Sequence, residues 1–271
     1  MVEEYREEYW KQALEQLRAG RGRDCRAIGE LPASVSPVNM TEAMHLQDAL
    51  NQRLVADGFG NIVGTKIGCT TRIMQEYLGM EHPCTGAIFD SSLFPEKGVY
   101  EFNSFLHVGV ECEIAVTLGE SIPVSSEGYS LESVSPAVAS VHAAIEVVDD
   151  RYHDFENRIP DCYTWVADDF FAAGAVLGKP VTDWTKLDLP SLRGNMLIDG
   201  EEVGDGFGRD IINGHPLEAL VWLANEQSRR GHEIPAGWVV MLGRVVQTKW
   251  LQSGQKVEVE IEGLGKAVAQ F

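Results

Sequence analysis

The segment FLHVGVECEIAVTL, residues 105–118, constrains the fold more than any other part of the sequence. Apolar residues alternate with small or polar ones along it, and this period of two is typical of a β-strand. One face of the strand carries only apolar side chains from Val108 to Leu118, whereas Glu111 and Glu113 share the opposite face. The pattern therefore predicts a long strand with two glutamates pointing the same way.

Two neighbouring glutamates repel each other and are costly to remove from water together, so a metal ion, a lysine or an arginine should compensate them. A second acidic segment, AAIEVVDDR, places Glu146 inside an apolar strand, before two aspartates and Arg151. Three carboxylates without a histidine or cysteine cluster suit a hard divalent cation such as Mg²⁺ or Mn²⁺. The alternative is that the paired glutamates lie on the solvated face of an edge strand.

The rest of the chain mixes helical and strand patterns. Helices are predicted at 3–19, from Thr41 to Gly58, and at 71–79, 131–140 and 216–227. Strands are predicted at 61–69, 105–118, 141–150, near 175–177 and in the last third, where 196–206 should form a hairpin that turns at Asp199-Gly200. The sum is a β-rich α+β fold, with a helical N-terminal segment (1–60) and a larger domain (61–271).

The charge balance excludes several classes of partner. The chain has 41 acidic and 22 basic residues, a formal net charge of −19, which repels nucleic acid and anionic membrane surfaces. Five cysteines without a CxxC pair indicate reduced thiols. No signal peptide or long apolar run is visible, so we expect a soluble, cytoplasmic protein.

Several segments together carry a family resemblance. They run in order from Ser36 to Gly243 and include VGTKIGCTTRIMQEYLGMEHP, VECEIAVTLG, AAIEVVDDRYHDF and GHPLEALVWLANEQSRRGHEIPAGWVVMLG. These segments resemble the fumarylacetoacetate hydrolase superfamily, in its branch of 2-keto-4-pentenoate (2-hydroxypenta-2,4-dienoate) hydratases and 4-oxalocrotonate decarboxylases. The resemblance implies a mixed-sheet fold like the fumarylacetoacetate hydrolase C-terminal domain over 61–271.

The resemblance also implies roles for individual residues. Glu111, Glu113 and Glu146 match the acidic triad that binds Mg²⁺ or Mn²⁺ in this family, and Lys66, within TKIG, matches its active-site lysine. The metal would hold a small anionic 2-oxo or 2-hydroxy acid, despite the acidic protein around it. A homo-oligomer is implied too, and association with a hydratase or decarboxylase relative is a further option.

Four stretches depart from the family's pattern. At the position of Cys84, hydratases usually have an aspartate implicated in acid/base work, and decarboxylase relatives have an apolar residue. The family's DSR is DDR here, its ADNxSS is ADDFFA, and its late TGS is LGR. The residues that these changes introduce are Cys84, Asp150, Asp169, Phe171, Ala172 and Arg244.

The leading prediction is a metal-dependent hydratase that adds water to a 2-hydroxy-2,4-dienoate and forms a 4-hydroxy-2-oxo acid, in aromatic meta-cleavage catabolism. Cys84 favours an alternative, decarboxylation of a 4-oxalocrotonate-like 2-oxo-3-enedioate. Hydrolysis of an acylpyruvate C–C bond is a third reaction of the superfamily. A non-catalytic partner subunit is the alternative from another class.

Single residues have competing interpretations. Lys66 could be a surface lysine, but the resemblance favours an active-site role. Asp149 and Arg151 are predicted to form an ion pair that orients the metal ligands. Arg244 is predicted to pair with Asp150 or Asp169, or alternatively to hold a second substrate carboxylate.

For the remaining candidates the structural interpretation is as strong as the functional one or stronger. Phe170 and Phe171 either make the pocket narrow and apolar or simply pack in the core. Cys84 is expected to be a buried, inert thiol rather than a nucleophile. His82 and His142 are candidates for a proton relay, with a structural role favoured for both.

Overall fold

The structure, a computed structural model, describes residues 2–22 and 24–271, with side chains from residue 9 onward. Its helices are α1 (Val2–Arg18), α2 (Met40–Ala56), α3 (Arg72–Leu78), α4 (Leu131–Val134), α5 (Cys162–Ala167) and α6 (Leu217–Arg230). Its strands are β1 (Ile62–Gly68), β2 (Cys84–Phe89), β3 (Leu93–Pro95), β4 (Lys97–Val99), β5 (Val108–Leu118), β6 (Val138–Asp149), β7 (Ala172–Leu177), β8 (Arg193–Ile198), β9 (Glu201–Phe207), β10 (Val239–Trp250), β11 (Lys256–Ile261) and β12 (Gly265–Gln270). This is the predicted mixed α+β architecture. No helix of the described segments is long and apolar enough to cross a membrane.

The strands form two mixed sheets. The larger has the order β2-β1-β10-β5-β6-β7-β3, and the smaller has the order β4-β12-β11-β8-β9. The larger sheet curls until its β2 end approaches β7: a Cβ built on Gly86 would lie 2.2 Å from the Asp169 carbonyl oxygen. Curling gives this sheet a concave inner face, on which side chains from distant strands can meet.

Strand β5 lies in the middle of the larger sheet and has the predicted two faces. Its apolar side chains belong to the largest buried cluster, shared with the smaller sheet and α6; they are Val108, Val110, Cys112, Ile114, Val116 and Leu118. On the inner face, Ala115 packs with Ala144, Ala175 and Met241. The small residues leave room inside the curl, since larger side chains there would fill it.

The N-terminal helices pack on the segment that follows β6. Trp10, Leu17 and Leu50 share one buried cluster with Trp165 of α5 and with Tyr152. Helix α2 begins one residue before the predicted start, because the Asn39 side chain accepts a hydrogen bond from the Glu42 amide at 2.9 Å and caps the helix. The boundary at residue 60 stays a prediction.

The structure corrects two predicted elements and confirms a third. The helix predicted at 131–140 ends at Val134, because a short 3₁₀ turn containing Pro136 follows it and β6 begins at Val138. The apolar run from 163 contains α5, a helix that the sequence analysis missed, before β7. The hairpin turn at Asp199-Gly200 is confirmed, with positive φ values of 52° and 87°.

Candidate metal centre and active site

Strands β5 and β6 bring the three glutamates together. Glu111 is the direct cross-strand partner of Glu146, and Glu113 lies two residues along on the same face of β5. One ligand oxygen from each of the three carboxylates lies within 4.8 Å of the others. Because β5 is hydrogen-bonded to β10 on one side and β6 on the other, the alternative of a solvated edge strand is wrong.

The local electrostatics of the triad are unfavourable by themselves. Glu113 is only 1% exposed, and burial, followed by repulsion from Glu146 and Glu111, raises its pKa well above the ordinary value. Burial and repulsion from Glu146 also raise the pKa of Glu111. Glu146 Oε1 is buried and accepts no hydrogen bond of normal geometry from the described residues.

Strand β10 partly compensates these acids. The Gly243 amide donates to Glu113 Oε2 at 3.1 Å, and Arg244 Nη1 lies 3.4 Å from Glu111 Oε1, which also accepts from the Thr248 hydroxyl. Gly243 has a φ of 130°, a region that strongly favours glycine. The register between β10 and β5 shifts repeatedly from Met241 onward, so β10 bends where it meets the acids.

The triad fits a hard cation. Its donor set consists only of carboxylate oxygens, and its mutual repulsion would be relieved by a dication between them. Glu146 Oε1 has no hydrogen-bond partner of normal geometry among the described residues, and Lys66 Nζ lies 3.0 Å from it. The assignment of Glu111, Glu113 and Glu146 as metal ligands stays a prediction that this geometry supports.

Lys66 on β1 reaches the triad across the concave face of the sheet. Its side chain is buried, so the surface-lysine interpretation is wrong, and Nζ lies 3.0 Å from Glu146 Oε1. Burial acts to lower the pKa of Lys66, but the attraction of Glu146, together with that of Cys84 and Glu111, outweighs burial and the pKa is raised. Nζ also lies 4.9 Å from the centre of the Phe170 ring. Lys66 is therefore held as an ammonium beside the carboxylates.

These residues line one cavity of about 650 Å³. Lys66 and the three glutamates lie on its wall, together with Arg244, Phe170 and Phe171. Apolar side chains line a further part of it, from Met74, Leu78, Val148 and Phe155. A cavity of this size, with a few convergent polar groups on an apolar lining, has the properties of a small-molecule site.

The predicted ion pairs of Arg244 and Asp149 are wrong. Arg244 contacts Glu111, because β10 pairs with β5 and points this side chain at the triad. Asp149 accepts instead from the backbone amides of Leu106 and His107, at 3.0 and 2.8 Å, and lies outside the cavity of the triad. Arg151 Nε lies 2.9 Å from Asp168 Oδ2 and also outside that cavity.

The two unusual aspartates also have other partners than Arg244. Asp150 lies 3.9 Å from His107 Nδ1. Asp169 accepts from Asn51 Nδ2 at 2.9 Å and from the Ala87 amide at 3.1 Å, and it lies 3.4 Å from Arg21. Neither aspartate lines the cavity of the triad.

Cys84 and the two histidines have structural surroundings. Cys84 is fully buried at the start of β2, outside the lining of the cavity, and burial raises the pKa of its thiol well above the ordinary value. His142 is buried, with Nε2 at 3.0 Å from the hydroxyls of Thr117 and Ser140 and Nδ1 at 2.9 Å from the Gly178 carbonyl oxygen. His82 lies near Trp222 and outside the cavity.

The sequence analysis missed three contributors to the site. Gly243 and Thr248 contact the triad from β10, and Arg21 forms an ion pair with Asp168 beside the cavity wall. The one signal for Thr248 in the sequence was its own polar side chain within β10. Arg21 had none, because its contact joins residues 147 positions apart.

Comparison with known proteins agrees with this geometry. The family model described as fumarylacetoacetate (FAA) hydrolase C-terminal matches residues 91–271. The chain belongs to the fumarylacetoacetate hydrolase family. A member from Pseudomonas putida, 4-oxalocrotonate decarboxylase, is 31% identical, with 86% of each chain covered. The 2-keto-4-pentenoate hydratase of Burkholderia vietnamiensis is also 31% identical, covering 93% of this chain and 95% of the other.

One solved structure is similar to this protein over nearly the full length of both chains. It is the 4-oxalocrotonate decarboxylase from Pseudomonas putida G7, complexed with magnesium and adipate. It has a TM-score of 0.87 and 28% sequence identity, and the match covers 98% of each chain. The relatives are thus enzymes of two activities on one fold, and similarity alone does not choose between them.

Proposed function

We propose that this protein is a divalent-metal-dependent hydratase that adds water to a 2-hydroxy-2,4-dienoate and forms a 4-hydroxy-2-oxo acid. One observation carries the proposal: three carboxylates, two of them buried and that of Glu111 partly buried, converge within 4.8 Å on the wall of a cavity, with Lys66 in contact with one of them. Aromatic meta-cleavage catabolism would supply such a substrate.

The metal would be held by Glu111, Glu113 and Glu146, and Mg²⁺ or Mn²⁺ suits these oxygen donors. When bound, it would supply positive charge that holds the substrate's carboxylate and 2-oxygen and stabilises an enolate. Magnesium in the similar decarboxylase structure supports this choice of cation.

The chain's own residues provide the rest of the chemistry. The Lys66 ammonium can give a proton to C5 of the dienol while the 2-hydroxyl proton passes to solvent or back to the amine. The resulting 2-oxo-3-enoate then takes the hydroxyl of water at C4 and its proton at C3. Arg244 lines the cavity on the β10 side and can hold the substrate carboxylate. Phe170 and Phe171 line the same cavity and exclude water from it.

Decarboxylation of a 2-oxo-3-enedioate is the second candidate. In that reaction the C–C bond to the distal carboxylate breaks, CO₂ leaves, and the electron pair moves through the conjugated system to the 2-oxygen. Two observations favour it. A thiol with a raised pKa, that of Cys84, stands where hydratases usually have an aspartate, and Arg244 with Lys249 could bind a second carboxylate.

A turnover assay separates the two candidates. The purified protein, with Mg²⁺ or Mn²⁺, would be given 2-hydroxypenta-2,4-dienoate and 2-oxohex-3-enedioate in separate reactions. We expect metal-dependent loss of dienol absorbance with the first acid and formation of 4-hydroxy-2-oxopentanoate. Release of CO₂ from the second acid, without hydration of the first, would favour the decarboxylase. Turnover of neither acid would reject both candidates.

Lys66 has a test of its own. A Lys66→Met variant should lose about a hundredfold or more in kcat, because it removes the proton donor from the cavity. It should still bind Mn²⁺ in a calorimetric titration, since the three carboxylates remain. A variant that kept its kcat would exclude Lys66 from the chemistry. The exposed Lys186 provides the control variant Lys186→Met, which should behave as the parent protein.

A further inference from the structure

An unusual backbone turn supports the ring of Phe170 at the cavity wall. Asp169, Phe170 and Phe171 have consecutive positive φ values of 58°, 45° and 66°. Large side chains rarely adopt this left-handed region, and three in succession persist only where the surroundings hold them. The turn lies between α5 and β7, and it places Phe170 on the lining of the triad's cavity. Strained backbone of this kind is concentrated at functional sites.

Contacts behind the turn hold it in this conformation. The buried Asp169 carboxylate accepts from Asn51 Nδ2 at 2.9 Å and from the Ala87 amide at 3.1 Å. The Phe170 amide donates to the Trp165 carbonyl oxygen at 2.8 Å. Asn51, Ala87 and Trp165 all lie outside the lining of the triad's cavity. The backbone is therefore fixed by groups outside the cavity, and the Phe170 ring is held on its wall.

The ring meets the Lys66 ammonium. Its centre lies 4.9 Å from Nζ, within the range of a cation–π contact, and both residues are buried. A Cβ built on Gly68 would lie 2.4 Å from a ring carbon and 3.4 Å from Nζ. The missing side chain at Gly68 thus leaves the space in which the ring and the ammonium meet. Because both groups are buried, the attraction should exceed that of an exposed cation–π pair.

The charged partner of Lys66 is itself one of the predicted metal ligands. Glu146 Oε1 lies 3.0 Å from Nζ, without the geometry of a normal hydrogen bond. When Glu111, Glu113 and Glu146 hold a dication, their attraction for the ammonium is largely neutralised and a second positive charge lies nearby. The Phe170 ring is uncharged, so it keeps its attraction for the ammonium whether or not the carboxylates are neutralised.

We infer that Phe170 is a positioning residue, whose ring keeps the Lys66 ammonium in the cavity when the triad holds a metal ion. The inference rests on the proposed function, because it requires Lys66 to be the proton donor. Phe170 acts through Lys66 and not on the substrate, so its contribution belongs to kcat. Weakening the attraction between ring and ammonium should therefore lower kcat and leave KM and Mn²⁺ affinity nearly unchanged.

Fluorination tests the attraction with little change in the shape of the ring. Each fluorine atom withdraws electron density from the ring face, which weakens the attraction for a cation. Mono-, di- and trifluorophenylalanine in place of Phe170 should lower kcat in steps, to a loss of about tenfold with the trifluoro ring. KM and the calorimetric Mn²⁺ affinity should stay within about twofold of the parent values. Trifluorophenylalanine in place of Phe105 is the matched control and should leave kcat unchanged, because Phe105 packs with Tyr100 and Phe271 away from this cavity.

Unfolding of the metal-free protein gives a readout that does not depend on activity. Trifluorophenylalanine in place of Phe170 should lower the urea midpoint by about 0.3 M more in the parent protein than in Lys66→Met, which has no cation beside the ring. A merely structural role of the ring would shift both midpoints equally. Two further variants give a second comparison if the fluorinated protein does not fold. Phe170→Leu should lose about tenfold in kcat, and Phe170→Tyr, which keeps a ring, should retain most of it.

The outcomes separate the inference from the proposed function. If kcat is unchanged along the fluorinated series while Lys66→Met has lost its activity, the inference is overturned and the proposed function stands. Equal midpoint shifts in the two backgrounds, or a change in KM alone, would also overturn it. If Lys66→Met keeps the parent kcat, the proposed role of Lys66 fails, and the inference fails with it.

Discussion

Glu113 has the least favourable surroundings of the three site carboxylates. It is almost fully buried between two other acids, and among the described residues one backbone amide, that of Gly243, donates to it. Burial and repulsion both raise its pKa, so the protein keeps a carboxylate at a position where an apolar residue would be more stable. Such a cost is characteristic of a binding site, and it predicts what removing the carboxylate will do.

Glu113→Gln should weaken Mn²⁺ binding by about tenfold or more, because it removes one charged ligand from the cluster. The metal-free variant should be at least as stable as the parent protein, since a repulsive interaction is lost. Calorimetric titration and thermal unfolding would measure the two effects. Glu120→Gln, at an exposed position, is the control. Unchanged Mn²⁺ affinity in Glu113→Gln would rule out its role as a ligand.

His142 allows a prediction of pH dependence. Burial lowers its pKa, although a hydrogen bond to the Gly178 carbonyl oxygen opposes the shift. A group whose pKa is lower in the folded state stabilises the fold above its unfolded pKa, about 6.5, and that stability is lost as the pH falls through the folded value. The His142→Gln variant should therefore lose less stability than the parent between pH 7 and pH 5.

Urea unfolding at several pH values would measure this difference. At pH 7 the variant should be about 1–3 kcal/mol less stable than the parent, because the hydroxyls of Thr117 and Ser140 lose their buried partner. Identical pH profiles for the two proteins would show that His142 does not contribute to the acid sensitivity. His153→Gln, in the loop after β6, would provide the comparison.

At the scale of elements, those with a local sequence signal were predicted, and those that depend on distant contacts were not. The alternation in β5 specified its two faces, and Asp199-Gly200 specified a hairpin turn, because both signals are local. Helix α5 was missed because a six-residue, mostly apolar segment does not distinguish a short helix from a buried strand. The left-handed turn at 169–171 could not be predicted, since no local preference of phenylalanine favours it and contacts with α2 and β2 hold it.

The contact between the α1–α2 segment and this turn predicts an effect on stability. Arg21 pairs with the fully buried Asp168, so Arg21→Gln should destabilise the protein by about 3 kcal/mol. This value is near the lower limit for breaking a buried ion pair, because Arg151 still pairs with Asp168 in the variant. Urea unfolding would measure the loss. Arg72→Gln removes an exposed pair with Glu76 on α3 and should cause no measurable change. Equal effects of the two substitutions would contradict the structural role of Arg21.

At the scale of the whole molecule, the site depends on how the larger sheet curls. Lys66 and Glu146 are on β1 and β6, and β10 and β5 lie between these strands in the sheet. The sequence predicted which residue types would meet, from charge, from apolar surroundings and from family resemblance. It could not predict that Arg244 would contact Glu111, because that contact depends on the shifted register of β10.

Net charge gives a prediction for the whole molecule. A charge of −19 repels an anionic substrate, and salt screens this repulsion over a Debye length of about 10 Å at 0.1 M. With saturating metal, kcat/KM should therefore rise by about two- to tenfold between 10 and 150 mM NaCl. The rise should be steeper for the dianion 2-oxohex-3-enedioate than for the monoanionic pentadienoate. A fall of kcat/KM with salt would mean that the local field of the metal, Arg244 and Lys249 extends to the mouth of the cavity and attracts the substrate.

In Arg244→Gln the rise of kcat/KM with salt should be larger than in the parent protein, because one cation that opposes the overall negative field has been removed.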